Sequence, residues 1–213
     1  MKFSRIIISL TLILSNISAF AESHLYSNFQ NPSRLGVPGA VSDLSESLNK
    51  STEVFHEFTL RNDSYVSRVS WVGSKVPGFE VTAYPLFRIS FHESIRGSAN
   101  CPADYRMIIC PDPSPIAQFI VEPSLIDNSV GHSGQGAKYS VHLGSPVFLP
   151  SAQNYWVSIA YFAPDINSNS ADGYEWHWGV GDNLVPQVQY DFDTERYAYT
   201  LGHTFSLYGN IAE

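Results

Sequence analysis

Cysteine, charge and long apolar runs are all scarce in this chain. Two cysteines among 213 residues are too few for a disulfide-dense miniprotein or a cysteine-rich zinc module. Charged residues make up 15% against 44% hydrophobic, the reverse of a disordered chain's balance. Basic residues number 12 against 20 acidic ones, a formal net charge of −8. That disfavours nucleic acid as a partner, since affinity there comes largely from cationic contacts to phosphate. It also disfavours a polybasic membrane-surface protein. No segment past the N-terminus is apolar over the ~20 residues that a spanning helix needs. No stretch there holds a helical period for three turns, and no internal repeat or domain boundary is visible, so the reading is of one non-helical domain.

The N-terminus has its own character. Lys2 and Arg5 precede an apolar run over residues 6–14, and Ala19-Phe20-Ala21 forms a small-x-small signal. Together these predict a secretory signal peptide over residues 1–21, cut after Ala21. The apolar run is too short for a transmembrane anchor. The expected location is therefore secreted or periplasmic. Export sets the reading of Cys101 and Cys110, which lie nine positions apart. In an oxidising compartment such a pair predicts a disulfide. Closing a loop of about ten residues would constrain the unfolded chain by roughly 2.7 kcal/mol. The bridge would pin a proline-rich stretch, Pro102, Pro111, Pro113 and Pro115.

Alternation is what the remaining chain has in quantity. Val54, His56, Phe58 and Leu60 share one face of a candidate strand, and Tyr65, Ser67, Val69 and Trp71 one face of the next. Phe87, Ile89 and Phe91 alternate with Arg88, Ser90 and His92. Residues 116–121 are a short apolar run, and Tyr139, Val141 and Leu143 alternate again. Tyr155, Val157, Ile159 and Tyr161 alternate with Trp156, Ser158 and Ala160. Tyr174, Trp176, Trp178 and Val180 alternate with Glu175, His177 and Gly179, and Phe205 and Leu207 with Ser206 and Tyr208. Eight aromatic and β-branched strands punctuated by Gly and Pro, with no helices between, predict an antiparallel β-sandwich of jelly-roll type over residues 42–213. Residues 22–41 read as an extended N-terminal segment. Residues 42–50 could be a short helix or a loop, and 127–136 and 165–173 read as loops.

Several of these segments together resemble a family of exported bacterial β-sandwich domains, mostly of unknown function and often carrying C-terminal surface-anchor or sorting signals. The likeness lies in Ser42-Asp43-Leu44 with residues 54–60, in residues 66–73, in residues 139–143, 146–149 and 154–159, and in Trp176-His177-Trp178 with residues 205–209. It implies the sandwich fold and little about function. Where the family often has an acidic pair before a strand Phe, this chain has His56-Glu57. The sorting tail is absent after Gly209, so this member is expected to be released or periplasmic.

No complete catalytic motif is present. Residues 131–136 resemble a nucleophile elbow, but the last Gly is one position late and no helix follows. His56-Glu57 and His92-Glu93 each begin a zinc-protease motif without its second His. A non-enzymatic role is the expectation. Asp165, Asn167, Asn169 and Asp172 offer oxygen ligands at the spacing of half a calcium loop, although such clusters also form ordinary turns. If Tyr155, Val157 and Ile159 face the core, Trp156 faces outward. An outward Trp can stack on a sugar ring. The same parity exports Arg88, His92, His142, Ser158, Glu175 and His177. Were their strands adjacent, Trp156, His142, Ser158, Glu175, His177 and Arg88 would form a carbohydrate-binding face. A plain solvated sheet face has the same parity. The expected function is thus an exported non-catalytic binding or surface-associated module, for extracellular carbohydrate or a surface protein. A self-associating structural protein is the alternative, and a carboxylate-dependent glycoside hydrolase a third reading.

Overall fold

The alternating segments become extended strands that face each other across a shared apolar layer. The computed structural model describes residues 22–28, 38–42, 44, 52–75, 86–96, 109–122, 124–130, 136–162, 176–179, 187–191, 196–199 and 203–213. Among the described residues there are fourteen strands and no helix. The front sheet holds β1 (Ser23–Ser27), β2 (Pro38–Val41), β4 (Ser64–Lys75), β8 (Ser124–Val130), β9 (Gly136–Leu149), β11 (Trp176–Gly179) and β14 (Phe205–Ile211). The back sheet holds β3 (Thr52–Thr59), β5 (Leu86–Arg96), β6 (Ile109–Pro111), β7 (Ala117–Val121), β10 (Asn154–Phe162), β12 (Gln187–Asp191) and β13 (Arg196–Tyr199).

Eight of these strands stand in jelly-roll order. β1-β14-β4-β9 lie side by side in the front sheet and β3-β10-β5-β7 in the back sheet, all antiparallel. The chain therefore passes repeatedly from sheet to sheet, as a double Greek key requires. Shorter strands extend this frame. β8 pairs with β9, β12 and β13 continue beyond β3, and β6 continues the line of β7 along β5. β11 pairs with β4 at Gly73–Lys75, above β14, and carries β2.

The predicted inner faces meet in one core, with one correction: a bulge between Val66 and Arg68 puts Val66 in the core and leaves Tyr65, expected on the face of Val69 and Trp71, exposed. Val54, Phe58, Phe87, Ile89, Phe91, Tyr155, Val157 and Ile159 come from the back sheet, and Val69, Trp71, Tyr139, Trp178, Phe205 and Leu207 from the front. Each is nearly or wholly removed from water, worth roughly 1.5–3 kcal/mol per large side chain. Rings interlock across the layer, Trp71 on Phe87 at 5.2 Å and Phe58 on Phe205 at 5.9 Å.

Two expectations need correction. Residues 127–130 and 136 belong to paired strands, Asp127 opposite Lys138 and Val130 opposite Gly136, and not to one loop. A strand at a sheet edge tolerates polar residues such as Asp127, Asn128 and Ser129, which read as turn formers. The start of the possible helix is extended instead. Ser42 O accepts from Tyr161 N at 2.9 Å, and Leu44 N donates to Tyr161 O at 2.9 Å. Residues 45–50 lie outside the described residues.

Candidate functional site

The expected carbohydrate face is not assembled. Trp156, Ser158 and Arg88 lie on the back sheet, His142 and His177 on the front sheet. Glu175, like the calcium candidates Asp165, Asn167, Asn169 and Asp172, lies outside the described residues, as does the side chain of His177. Among the described residues no group of three or more His, Cys, Asp or Glu could hold a metal ion. Cys110 is buried in β6 and is not a free thiol; Cys101 lies outside the described residues.

Trp156 is the central correction. It does occupy the outer face of the back sheet, opposite to Tyr155, Val157 and Ile159. That face is dry: Trp156 is 0% exposed. It packs with Phe55 and Val188 in a second small core, against Ile109 and Tyr190. Its Nε1–H donates to Ser94 Oγ at 2.9 Å. A ring so enclosed cannot stack on a sugar.

The polar groups beside it are buried and paired with one another. Arg88 Nη2 donates to Glu53 Oε2 at 2.6 Å. His92 Nδ1 lies 2.6 Å from the Asp112 carbonyl, which only accepts, so Nδ1 carries the proton. His92 Nε2 lies 2.8 Å from Ser90 Oγ. Burial lowers the His92 pKa, opposed mainly by the Asp112 carbonyl, so the imidazole is neutral and accepts from Ser90. A serine donating to an oriented histidine is the layout of a nucleophile and its base. Ser90 is 1% and His92 5% exposed, too enclosed for a substrate to approach. Ser158, 0% exposed, stands opposite Ser90 in the β10–β5 register, and its Oγ has no hydrogen-bond partner.

His142 is exposed on the outer face of the front sheet, its Nδ1 3.4 Å from Glu22 Oε1. Glu22 also accepts from Ser67 Oγ and Arg68 Nε, each at 2.6 Å. Partial burial tends to raise the Glu22 pKa, but these hydrogen bonds and the charges of Arg68 and His142 hold it lower. The Arg68 guanidinium lies 3.8 Å over the Tyr208 ring.

A concave site does exist, at the rim between the two sheets. The described part of β12 pairs with β3 from Thr52 to His56. In the front sheet β1 pairs with β14 and with no other described strand. Between β1 and residues 57–60 lies a cleft of about 700 Å³, lined also by Arg61, Asn62 and Ile211. That volume suits a small-molecule ligand. Leu25, Tyr26, Phe58 and Leu60 give it apolar walls.

Glu57 is the cleft's carboxylate. It is half-buried, and Asn154 Nδ2 donates to its Oε1 at 2.6 Å. Burial raises its pKa, and the Asn154 hydrogen bond opposes this. The cleft thus presents a carboxylate, an amide, the Arg61 guanidinium and the His24 imidazole around an apolar floor. Sequence patterning singled out Glu57 only beside His56, and did not find Asn154. Their partnership follows from Asn154 standing opposite Thr59 in the β10–β3 pairing.

No family model, no curated protein and no solved structure matches this chain. Among the described residues no helix is long and apolar enough to cross a membrane.

Proposed function

We propose that this protein is an exported, non-catalytic binding module that holds a carbohydrate unit in the cleft between β1 and β3. The observation that carries this reading is the Glu57–Asn154 pair on the wall of a ligand-sized cleft. A carboxylate and an amide side by side can bind adjacent hydroxyls, one accepting and the other donating, while the partly exposed Tyr26 ring meets the C–H face of a sugar. Catalysis by paired carboxylates would need a second acid, and among the described lining residues Glu57 stands alone. Export is supported by the leader-like residues 1–21. We extend the proposal to a Cys101–Cys110 disulfide, to be read from the intact mass before and after reduction. Calcium at residues 165–172 remains part of it only as an oxygen-rich segment. The family resemblance supports the sandwich and an exported setting, not the ligand.

The test is a broad glycan array with the wild-type protein and Glu57→Ala. Hydrogen bonds to a charged group contribute ~1.5–3 kcal/mol, so Glu57→Ala should weaken binding by ~10- to 100-fold. Binding to no glycan would sink the carbohydrate assignment.

A self-associating role has one observation in its favour. Tyr65 and Phe148 are 45% and 44% exposed on the outer front sheet, their rings 5.1 Å apart. Sedimentation of wild type against Tyr65→Ser/Phe148→Ser decides it, since a concentration-dependent dimer lost in the variant would favour this second reading.

A further inference from the structure

β1 forms one wall of the cleft, and its seat in the sandwich runs through one buried amide. Asn28, directly after the strand, is 0% exposed. Its backbone N–H donates to the Phe205 carbonyl at 3.3 Å, and its Oδ1 accepts from Phe205 N–H at 2.8 Å. Its Nδ2 donates to the His203 carbonyl. These partners fix which end of the amide is nitrogen. The same Nδ2 faces His56 Nε2 at 3.4 Å, so that nitrogen must be bare and accepting. His56 Nδ1 therefore carries the ring's proton, and it finds no partner although it is buried.

The described groups known to meet the two histidines are uncharged. Asn28 follows β1, Gln187 stands on β12 and bonds His203 Nδ1 through Oε1, and Val157 on β10 pairs opposite His56. The Trp178 ring on β11 lies 5.1 Å from His203, and the Phe205 ring on β14 lies 4.9 Å from His56. Thr204 completes the group, itself fully buried. No carboxylate among these residues could stabilise an imidazolium. A proton on His56 Nε2 would set a donor against the Asn28 donor. A proton on His203 as well would add like-charge repulsion.

We propose that β1 is an acid-released wall of the cleft: proton uptake by the His56–His203 pair unseats Asn28, frees β1 from the β14 edge and dismantles the binding site. The loss of ligand binding rests on the cleft reading above, whereas the release of the strand does not. Burial holds His56 down to about 3 and His203 well below its ordinary value, with His56 lowering it further. Released, both would return towards ~6.5. Because the folded values are depressed, the docked state is fully favoured above that value and loses ground as pH falls below it. β1 should yield before the whole fold does, because a five-residue edge strand opens more cheaply than the central strands.

The test is amide hydrogen exchange at Tyr26 and Asn28 at pH 7.5 and 5.0, corrected for intrinsic exchange, with β4 and β9 amides as internal reference. From values of ~6.5 released and about 3 docked for His56 alone, opening of β1 should rise about 30-fold between the two pH values. The β4 and β9 amides should keep their protection. His56→Gln should flatten the rise, and the wild-type comparison stands if that variant does not fold. A rise under threefold, or equal loss of protection in β4 and β9, overturns the proposal. No ligand enters this measurement, so a failed glycan array would refute the cleft reading alone, and flat exchange would refute only strand release.

Discussion

Gly209→Ala perturbs the join between the cleft and the sandwich. Gly209 lies in β14 at a bulge, opposite Val66 of β4 on one side and Ser23 of β1 on the other. A Cβ there would stand 1.9 Å from Tyr65 O, 2.9 Å from Tyr65 C and 3.1 Å from Ser67 N. All three are backbone atoms, and none can rotate aside. Comfortable heavy-atom contact begins near ~3.5 Å, so β14 must move away from β4 by more than ~1 Å. That movement disrupts the pairs that follow the bulge, Gly209 with Val66, Asn210 with Tyr65 and Ile211 with Ser64. Two or three backbone hydrogen bonds at ~1 kcal/mol each, with some lost packing, give about 3 kcal/mol. Urea denaturation measures it directly, as a lower midpoint with an unchanged m-value. Gly144→Ala is the control, since a Cβ there meets nothing within 4 Å, and it should stay within ~0.5 kcal/mol of wild type. A Gly209→Ala variant within ~1 kcal/mol of wild type would refute the close approach of β14 to β4.

Trp156→Ala should cost ~3–5 kcal/mol of stability by urea denaturation, the penalty for emptying a buried aromatic site; a loss under ~0.5 kcal/mol would mean a solvent-facing ring after all. Glu57 has its pKa raised in the folded protein, chiefly by burial, so its ionisation weakens the fold as pH climbs above the usual carboxylate value of 4.5. Glu57→Gln should therefore melt higher than wild type at pH 7 and equally at pH 3, and an unchanged or lower melting temperature at pH 7 would count against this. Glu22 has the opposite sign. Its pKa is lowered in the folded state, so its contribution is complete above 4.5 and lost as pH falls through its folded value. Wild type should exceed Glu22→Gln in stability at pH 6 and match it near pH 2.5, and raised salt should narrow the gap.

The strands were legible where alternation is unbroken. Phe87-Arg88-Ile89-Ser90-Phe91 or Tyr155-Trp156-Val157-Ser158-Ile159 can place only one set of side chains in the core. β1 escaped notice for a local reason. The β1–β14 register shifts between His24 and Tyr26, so Leu25 and Tyr26 fall side by side in sequence and the two-residue period is lost. Seven of the eight jelly-roll strands were visible by pattern, and β11 stood in for the missing β1.

Parity says which side of a sheet a residue takes, and not whether that side is wet. Glu53, Arg88, Ser90 and His92 read, strand by strand, like a solvated face. Placed next to each other by the β3–β10–β5 order, they pair largely with one another, Arg88 with Glu53 and Ser90 with His92. Phe55, Trp156 and Val188 lie on three strands far apart in sequence, so the second core they build has no one-dimensional signature. The cleft was hidden for a related reason. Its walls, β1 and residues 57–60, come from opposite sheets. Which strands come to face each other depends on strand order, which local periodicity does not encode. Glu57 changes meaning accordingly: beside His56 in sequence it suggests half of a metal motif, yet His56 points into the core and Glu57 into the cleft. Neighbours on a strand face opposite ways, so the partner that matters to Glu57 is Asn154, across the ladder.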